Sequence, residues 1–282
     1  MKISKLLITG AQGQLGQALQ TQFIDAEVIA WDIQDLDICQ LEHVRKGLKQ
    51  LRPDIVINAA AFTQVDQAET QQEEAYRGNA LGPRNLAFAT NEIGIPLVHF
   101  STDYVFDGRQ SRPYHEFDRP NPLSIYGKSK LAGEVEVQKG NPRHFIVRTA
   151  WLYHRVGKNF PQTILRLANQ GQVRVVNDQF GSPTYCPHLA QAVSRLLETD
   201  VYGTYHMAGS GGASWYDFTK ALYKAHGINT AVVPITTAEY PLPAPRPGYA
   251  VLASLQDPSM SGLPPWEDGV RDFAARGKVH HS

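Results

Sequence analysis

Only two cysteines, Cys39 and Cys186, occur in the 282 residues, and neither has a CxxC partner. A disulfide framework is thereby excluded, and the pair fits a reducing compartment. Charge of one sign is absent too, since 27 basic residues balance 27 acidic ones and no lysine or arginine run stands out. That argues against nucleic acid or an anionic membrane as partner, because either needs a concentrated basic face. The histidines are scattered, with neither HExxH nor a Cys/His cluster, so no metal site is expected. No apolar run reaches membrane-spanning length, and Met1 to Gly10 lacks the basic segment, apolar core and cleavage site of a secretory signal. These absences point to a cytoplasmic protein that works on a small molecule.

What the chain has is alternation. Leu6-Leu7-Ile8, Val28-Ile29-Ala30, Ile55-Val56-Ile57, Leu97-Val98-His99-Phe100 and Phe145-Ile146-Val147 read as strands buried on both faces. Helix-length spacing near 15–24, 40–51, 71–92 and 124–139 lies between them, with breaks at Pro53, Gly94-Ile95-Pro96 and Gly140-Asn141-Pro142. The pattern predicts an α/β fold: a Rossmann-type doubly wound parallel sheet with a smaller mixed α/β substrate-binding lobe. Beyond Trp151 short elements mix with Pro/Gly loops. Residues 1–152 are therefore expected to bind NAD(P), and 153–282 mainly to bind substrate, with some segments returning to the first domain. Arg276 to Ser282 read as a frayed polar tail.

Gly10-Ala11-Gln12-Gly13-Gln14-Leu15-Gly16 follows the first strand and opens the first helix. A dinucleotide pyrophosphate needs backbone N–H groups and no Cβ at such a turn. The GxxGxxG spacing is the form used by extended short-chain dehydrogenase/reductases. Asp32 ends the second strand, where a carboxylate holds ribose hydroxyls and repels a 2′-phosphate; this favours NADH slightly over NADPH without excluding either. Asp37 and Ile38 are placed at the adenine, and the small Ala59, Ala60 and Ala61 leave room for a cofactor against the sheet. Ser101, at the end of the fourth strand, joins the expected cofactor set, which Tyr126 and Lys130 complete.

Tyr126 and Lys130 stand four apart, hence on one helix face, shortly after the strand end Ser101-Thr102-Asp103. A second pair with this spacing, Tyr216 and Lys220, lacks that position. Ketone reduction needs a proton on the developing alkoxide, which a phenol can supply, and a cation such as Lys130 would draw its pKa toward neutrality. Lys130 can also bond the nicotinamide ribose. Thr102 suits a hydrogen bond to the carbonyl oxygen.

Six segments carry a closer likeness: Gly10–Gly16, Pro53–Ala61, Ser101-Thr-Asp-Tyr-Val-Phe-Asp-Gly108, Tyr126-Gly-Lys-Ser-Lys-Leu-Ala-Gly-Glu134, Arg148–Tyr153 and Asn177–Thr184. With them the chain resembles the dTDP-4-dehydrorhamnose reductase family of extended short-chain dehydrogenases over nearly its whole length. The resemblance implies reduction of the C4 ketone of dTDP-4-dehydro-6-deoxy-L-lyxo-hexulose to dTDP-L-rhamnose by NADH or NADPH. It implies a catalytic set of Thr102, Tyr126 and Lys130, with Asp103, Trp151, Thr63 and Val65 against the sugar. Arg246 heads Arg246-Pro-Gly-Tyr-Ala-Val-Leu-Ala253, where this family often has Arg-Pro-x-Asn-Ser-x-Leu-Asp; its planar guanidinium suits a diphosphate. Some members bind magnesium through a glutamate where this chain has Tyr185-Cys186-Pro187-His188, so no metal is expected here. A monomer or weak homodimer is the expected form. Two alternatives stand beside this reading: a reductase or epimerase of another nucleotide-linked keto-deoxysugar, and a non-catalytic regulatory subunit on the same fold.

Overall fold

In each sheet strand, alternate side chains leave on opposite faces, so a strand that is apolar throughout needs a helical layer on both sides. The computed structural model, which describes residues 3–275, has this arrangement. Strands β1 (Lys5–Thr9), β2 (Glu27–Trp31), β3 (Ile55–Asn58), β4 (Leu97–Thr102) and β5 (His144–Thr149) are joined by a sixth, Gly203–His206. All run parallel, in the order Gly203–His206, β5, β4, β3, β1, β2. The chain leaves β1 for one edge, then returns to its other side with β3. That reversal opens a crevice at the carboxyl ends of β1 and β3, where open α/β sheets take their ligands.

Leu6, Ile8, Ile55, Ile57, Val98 and Val147 enter one core with Leu15 and Leu19 of the Gln14–Gln22 helix and Leu189 and Val193 of the Cys186–Leu196 helix. Leu7, Val56, Leu97 and Ile146 enter the opposite core with Val44, Leu48, Leu86 and Val137. Leu6, Leu7 and Ile8 are each 0% exposed. Burying three such side chains contributes on the order of 6 kcal/mol before entropy is counted. The five strands predicted from the apolar runs are present. The 71–92 segment is interrupted by a π-helical turn, Arg77–Leu81, between Gln72–Tyr76 and Gly82–Glu92.

After β5 the chain builds a lobe over the sheet's carboxyl edge. Gln172–Val176 pairs in parallel with Ala231–Ile235. Tyr153, Tyr185, Phe218, Trp266 and Phe273 form its aromatic core. Two segments from this half return to the sheet domain, the Cys186–Leu196 helix and the Gly203–His206 strand. The predicted tail from Arg276 lies outside the described residues.

Candidate active site

Gly10 leaves β1 with φ +69°, and a Cβ there would lie 2.5 Å from the Ala60 backbone nitrogen. Only glycine fits that contact without moving backbone. The following helix, Gln14–Gln22, has Gly13 as N-cap, no side-chain capping bond and no acidic residue in its first turn. Its N–H groups and dipole are thus free to meet an anion. Beside it lies a cavity of about 670 Å³ lined by Gly10, Gln12, Gly13, Asp32, Asp37, Ile38, Ala59, Ala60, Ala61 and Thr63. Cys39 and Arg77 line it too; no pattern in the sequence marked either one. The cradle and the space fit a dinucleotide.

Three other residues expected at the cofactor serve packing or the lobe contact instead. Leu15 is 6% exposed and packs into the core. Gly16 lies so close to Gly10 O that a Cβ would be 2.4 Å away, so it serves the packing of the helix on the turn. The Gln14 amide ties the turn to the lobe: Oε1 accepts from His154 N at 3.0 Å and Asn159 Nδ2 at 2.8 Å. Asp32 accepts the backbone N–H of Gln12 at 3.0 Å and of Ile33 at 2.8 Å. It remains on the cavity wall.

The helix Ile125–Gly140 is started by Ser124, whose hydroxyl accepts from Gly127 N at 3.1 Å. At Gly127 a Cβ would lie 2.2 Å from the Tyr104 carbonyl oxygen, so the helix can press against the end of β4. That contact sets the Tyr126 ring edge-on to Tyr104, centroids 5.5 Å apart. Thr102 Oγ1 donates to Asp103 Oδ1 at 2.9 Å and accepts from Tyr104 N at 3.2 Å. Thr102, Asp103, Tyr104 and Tyr126 therefore form one cluster at the sheet's carboxyl edge.

Lys130 is buried one turn below and donates from Nζ to Phe100 O at 2.6 Å. Burial drives its pKa down to about 8, with the Glu134 charge opposing. Burial also pushes the Tyr126 phenol up to about 12, with the Thr102 hydrogen bond pulling back. The expectation that Lys130 would draw the phenol toward neutrality is not met, because burial and the Asp103 charge raise it and only the Thr102 hydrogen bond opposes them. Ser101 faces inward: its hydroxyl donates to Glu134 Oε1 at 2.5 Å. Glu134 in turn meets Arg148 in a buried pair at 2.7 Å.

Asp103 is 2% exposed, its Oδ2 has no partner, and burial pushes the carboxyl up to about 7. It lines a narrow cavity of about 10 Å³ together with Tyr104, Trp151, Gln179, Trp215 and Arg246. Trp151 adopts φ +46°, an unusual backbone state for a bulky residue. One face of its indole is covered by Trp215, stacked at 3.4 Å and 4°. The Arg246 fork is taken by Asp66, at 2.9 and 2.8 Å. Thr63 lines the first cavity, and Val65 begins the short helix Val65–Ala68. A second cavity of about 670 Å³ opens in the lobe between Phe160, Val173, Val175 and Tyr240, sharing Tyr104, Gln179, Trp215 and Arg246 with the narrow one. Tyr104 and Gln179 lie within the quoted Ser101–Gly108 and Asn177–Thr184 segments, whereas nothing in the sequence flagged Trp215.

Residues 4–279 match the family described as RmlD substrate binding domain. The spore coat polysaccharide biosynthesis protein SpsK of Bacillus subtilis is 42% identical, over 96% of this chain and 97% of its own. A crystal structure of a dTDP-4-dehydrorhamnose reductase from Clostridium acetobutylicum is 43% identical, with TM-score 0.94, covering 98% of this chain and 100% of that one. The Bacillus anthracis dTDP-4-dehydrorhamnose reductase, solved in complex with NADP, is 40% identical, with TM-score 0.93 and the same coverage.

Proposed function

Because the chain belongs to the RmlD family, whose solved relatives are dTDP-4-dehydrorhamnose reductases, we propose that it reduces the C4 ketone of dTDP-4-dehydro-L-rhamnose to dTDP-L-rhamnose. NAD(P)H is the reductant, and the relative solved with NADP keeps both forms in play despite Asp32. The observation that carries this reading is the Thr102, Asp103, Tyr104 and Tyr126 cluster, set at the carboxyl edge with a glycine cradle on one side and a lobe cavity on the other.

Bound nicotinamide would supply a hydride to the ketone carbon. Tyr126 supplies the proton: with its phenol held near 12, it is protonated at neutral pH and can donate to an oxygen as that becomes alkoxide. Thr102, positioned by the Tyr104 N–H, shares that oxygen's charge by turning its one O–H to it from Asp103. Lys130 places a cation beneath the site, held by the Phe100 carbonyl. In this reading Gly10, Gln12 and Gly13 cradle the pyrophosphate, Asp32, Asp37 and Ile38 border the adenosine, and residues 153–282 hold mainly the nucleotide sugar. Asp103 and Trp151 line the sugar side, and the apolar lobe cavity takes the nucleoside.

The reading includes a cytoplasmic protein that is a monomer or weak homodimer. Among the described residues no helix is long and apolar enough to cross a membrane. The test combines the purified protein with dTDP-4-dehydro-6-deoxy-glucose, the 3,5-epimerase that makes the lyxo-hexulose, and NADH or NADPH. One cofactor oxidised per dTDP-L-rhamnose formed is expected. Cofactor consumption without that product, or product without consumption, would exclude the assignment.

A further inference from the structure

Asp66 and Arg246 are 180 residues apart in the chain, yet they meet as a fork: Nη1 donates to Oδ1 at 2.9 Å and Nη2 to Oδ2 at 2.8 Å. The same carboxylate accepts the Ala244 N–H at 3.1 Å. Asp66 sits in the short helix Val65–Ala68 that follows β3, and Arg246 in a loop of the lobe. The pair therefore joins the two halves of the protein beside the catalytic cluster. Arg246 also lines both lobe-side cavities, the narrow one with Asp103 and Trp151 and the large one with Phe160 and Val173. The other arginine on the large cavity, Arg174, is more exposed and paired with Glu239 at 3.0 Å.

The step that follows rests on the functional reading above. A nucleotide sugar with its ketone at Tyr126 and its base in the lobe cavity must carry its diphosphate past Arg246. A guanidinium presents the same two N–H groups to a carboxylate as to a phosphate, so these N–H groups cannot serve both. A carboxylate kept at that distance would also repel the incoming dianion. We infer that Asp66 is an internal stand-in for the substrate diphosphate: it occupies the Arg246 fork in the free protein and must yield it when a diphosphate binds. Asp66 thereby sets the affinity for diphosphate-bearing ligands while leaving contacts to the nucleoside alone.

The opposite role makes the opposite forecast. If Asp66 only braces Arg246 for a ligand that uses its other N–H groups, removing the carboxylate charge loosens the arginine and weakens binding. Calorimetric titration of the full chain with dTDP, and separately with thymidine, separates the two. Asp66→Asn should tighten dTDP by roughly tenfold and leave thymidine unchanged. Arg246→Gln should weaken dTDP, and in that background Asp66→Asn should relieve only the carboxylate's repulsion, with no fork left to release. A wild-type measurement guards against a misfolded variant: the Ala244 amide resonance, bonded to Asp66, should shift on adding dTDP and not on adding thymidine. Unchanged or weaker dTDP binding in Asp66→Asn, or an unmoved Ala244 signal, overturns the inference alone. Failure of the wild-type protein to bind either probe overturns the functional reading and the inference with it.

Discussion

Replacing Asp103 by asparagine should stabilise the cofactor-free protein at pH 8 and destabilise it at pH 4. The carboxyl is 2% exposed, and its near neighbours are the neutral hydroxyls of Thr102, Tyr104 and Tyr126. Arg246, the cation lining the same cavity, is taken up by Asp66. Burial raises the group from 3.8 to about 7, so between these values the folded chain keeps a proton that the unfolded chain has released. Stability is then greatest below the lower value, falls as pH rises through the interval and levels off above the upper one. The full fall is three units at about 1.4 kcal/mol each, roughly 4 kcal/mol. Asparagine escapes that penalty because it does not ionise, and its Oδ1 can still accept from Thr102. Its amide N–H takes the place of an oxygen that has no partner, which costs about 1–2 kcal/mol at any pH. The net effect is a gain of about 2–3 kcal/mol at pH 8, a rise in Tm of roughly 3–5 °C for a chain of this size, and a small loss at pH 4. Scanning calorimetry at the two pH values decides it. An equal shift at both, or a lower Tm at pH 8, would refute the claim that Asp103 is a buried carboxyl held against its charge.

Three other changes probe the frame. Gly10→Ala forces a Cβ to 2.5 Å from the Ala60 nitrogen at positive φ, which should cost about 2–4 kcal/mol in stability and weaken NADH binding in a fluorescence titration. Glu134→Gln leaves the Arg148 charge buried without its carboxylate, and urea unfolding should show a loss of about 3–5 kcal/mol. Tyr216→Phe, in the second Tyr-x-x-x-Lys, removes only a hydroxyl and keeps the half-buried ring that packs on the lobe core, 5.1 Å from Lys220. Steady-state kinetics should find its kcat and KM unchanged.

The central sheet was legible because five of its strands are built on short apolar runs, a pattern that a two-faced parallel sheet favours. The strand Gly203–His206 escaped notice because Gly-Thr-Tyr-His is not an apolar run; it is a strand because β5 offers it an open edge. The glycine loop could be read from its place between strand and helix, and the cavity at its flank gathers Asp32, Asp37, Ile38 and the alanines as expected. Side-chain direction was harder to read. Gln14 and Ser101 sit where a cofactor residue would, but one latches onto the lobe and the other onto Glu134. Contacts between distant segments left no trace in local pattern, so the Trp151–Trp215 stack and the Asp66–Arg246 fork emerged only once the chain was folded. The direction of the Tyr126 pKa shift differs from expectation for a related reason. Spacing reports that Lys130 is near, whereas burial, which decides the pKa, depends on the whole fold.

The claim that Tyr126 is the proton donor in a ketone reduction is tested most directly by Tyr126→Phe under single-turnover conditions. The assay follows loss of nicotinamide absorbance with dTDP-4-dehydro-L-rhamnose. Removing a general acid should slow the step by roughly 10²–10⁴-fold while cofactor affinity stays as in the wild type. A variant that turns over at the wild-type rate would contradict the account, because the phenol would then have no part in the chemistry.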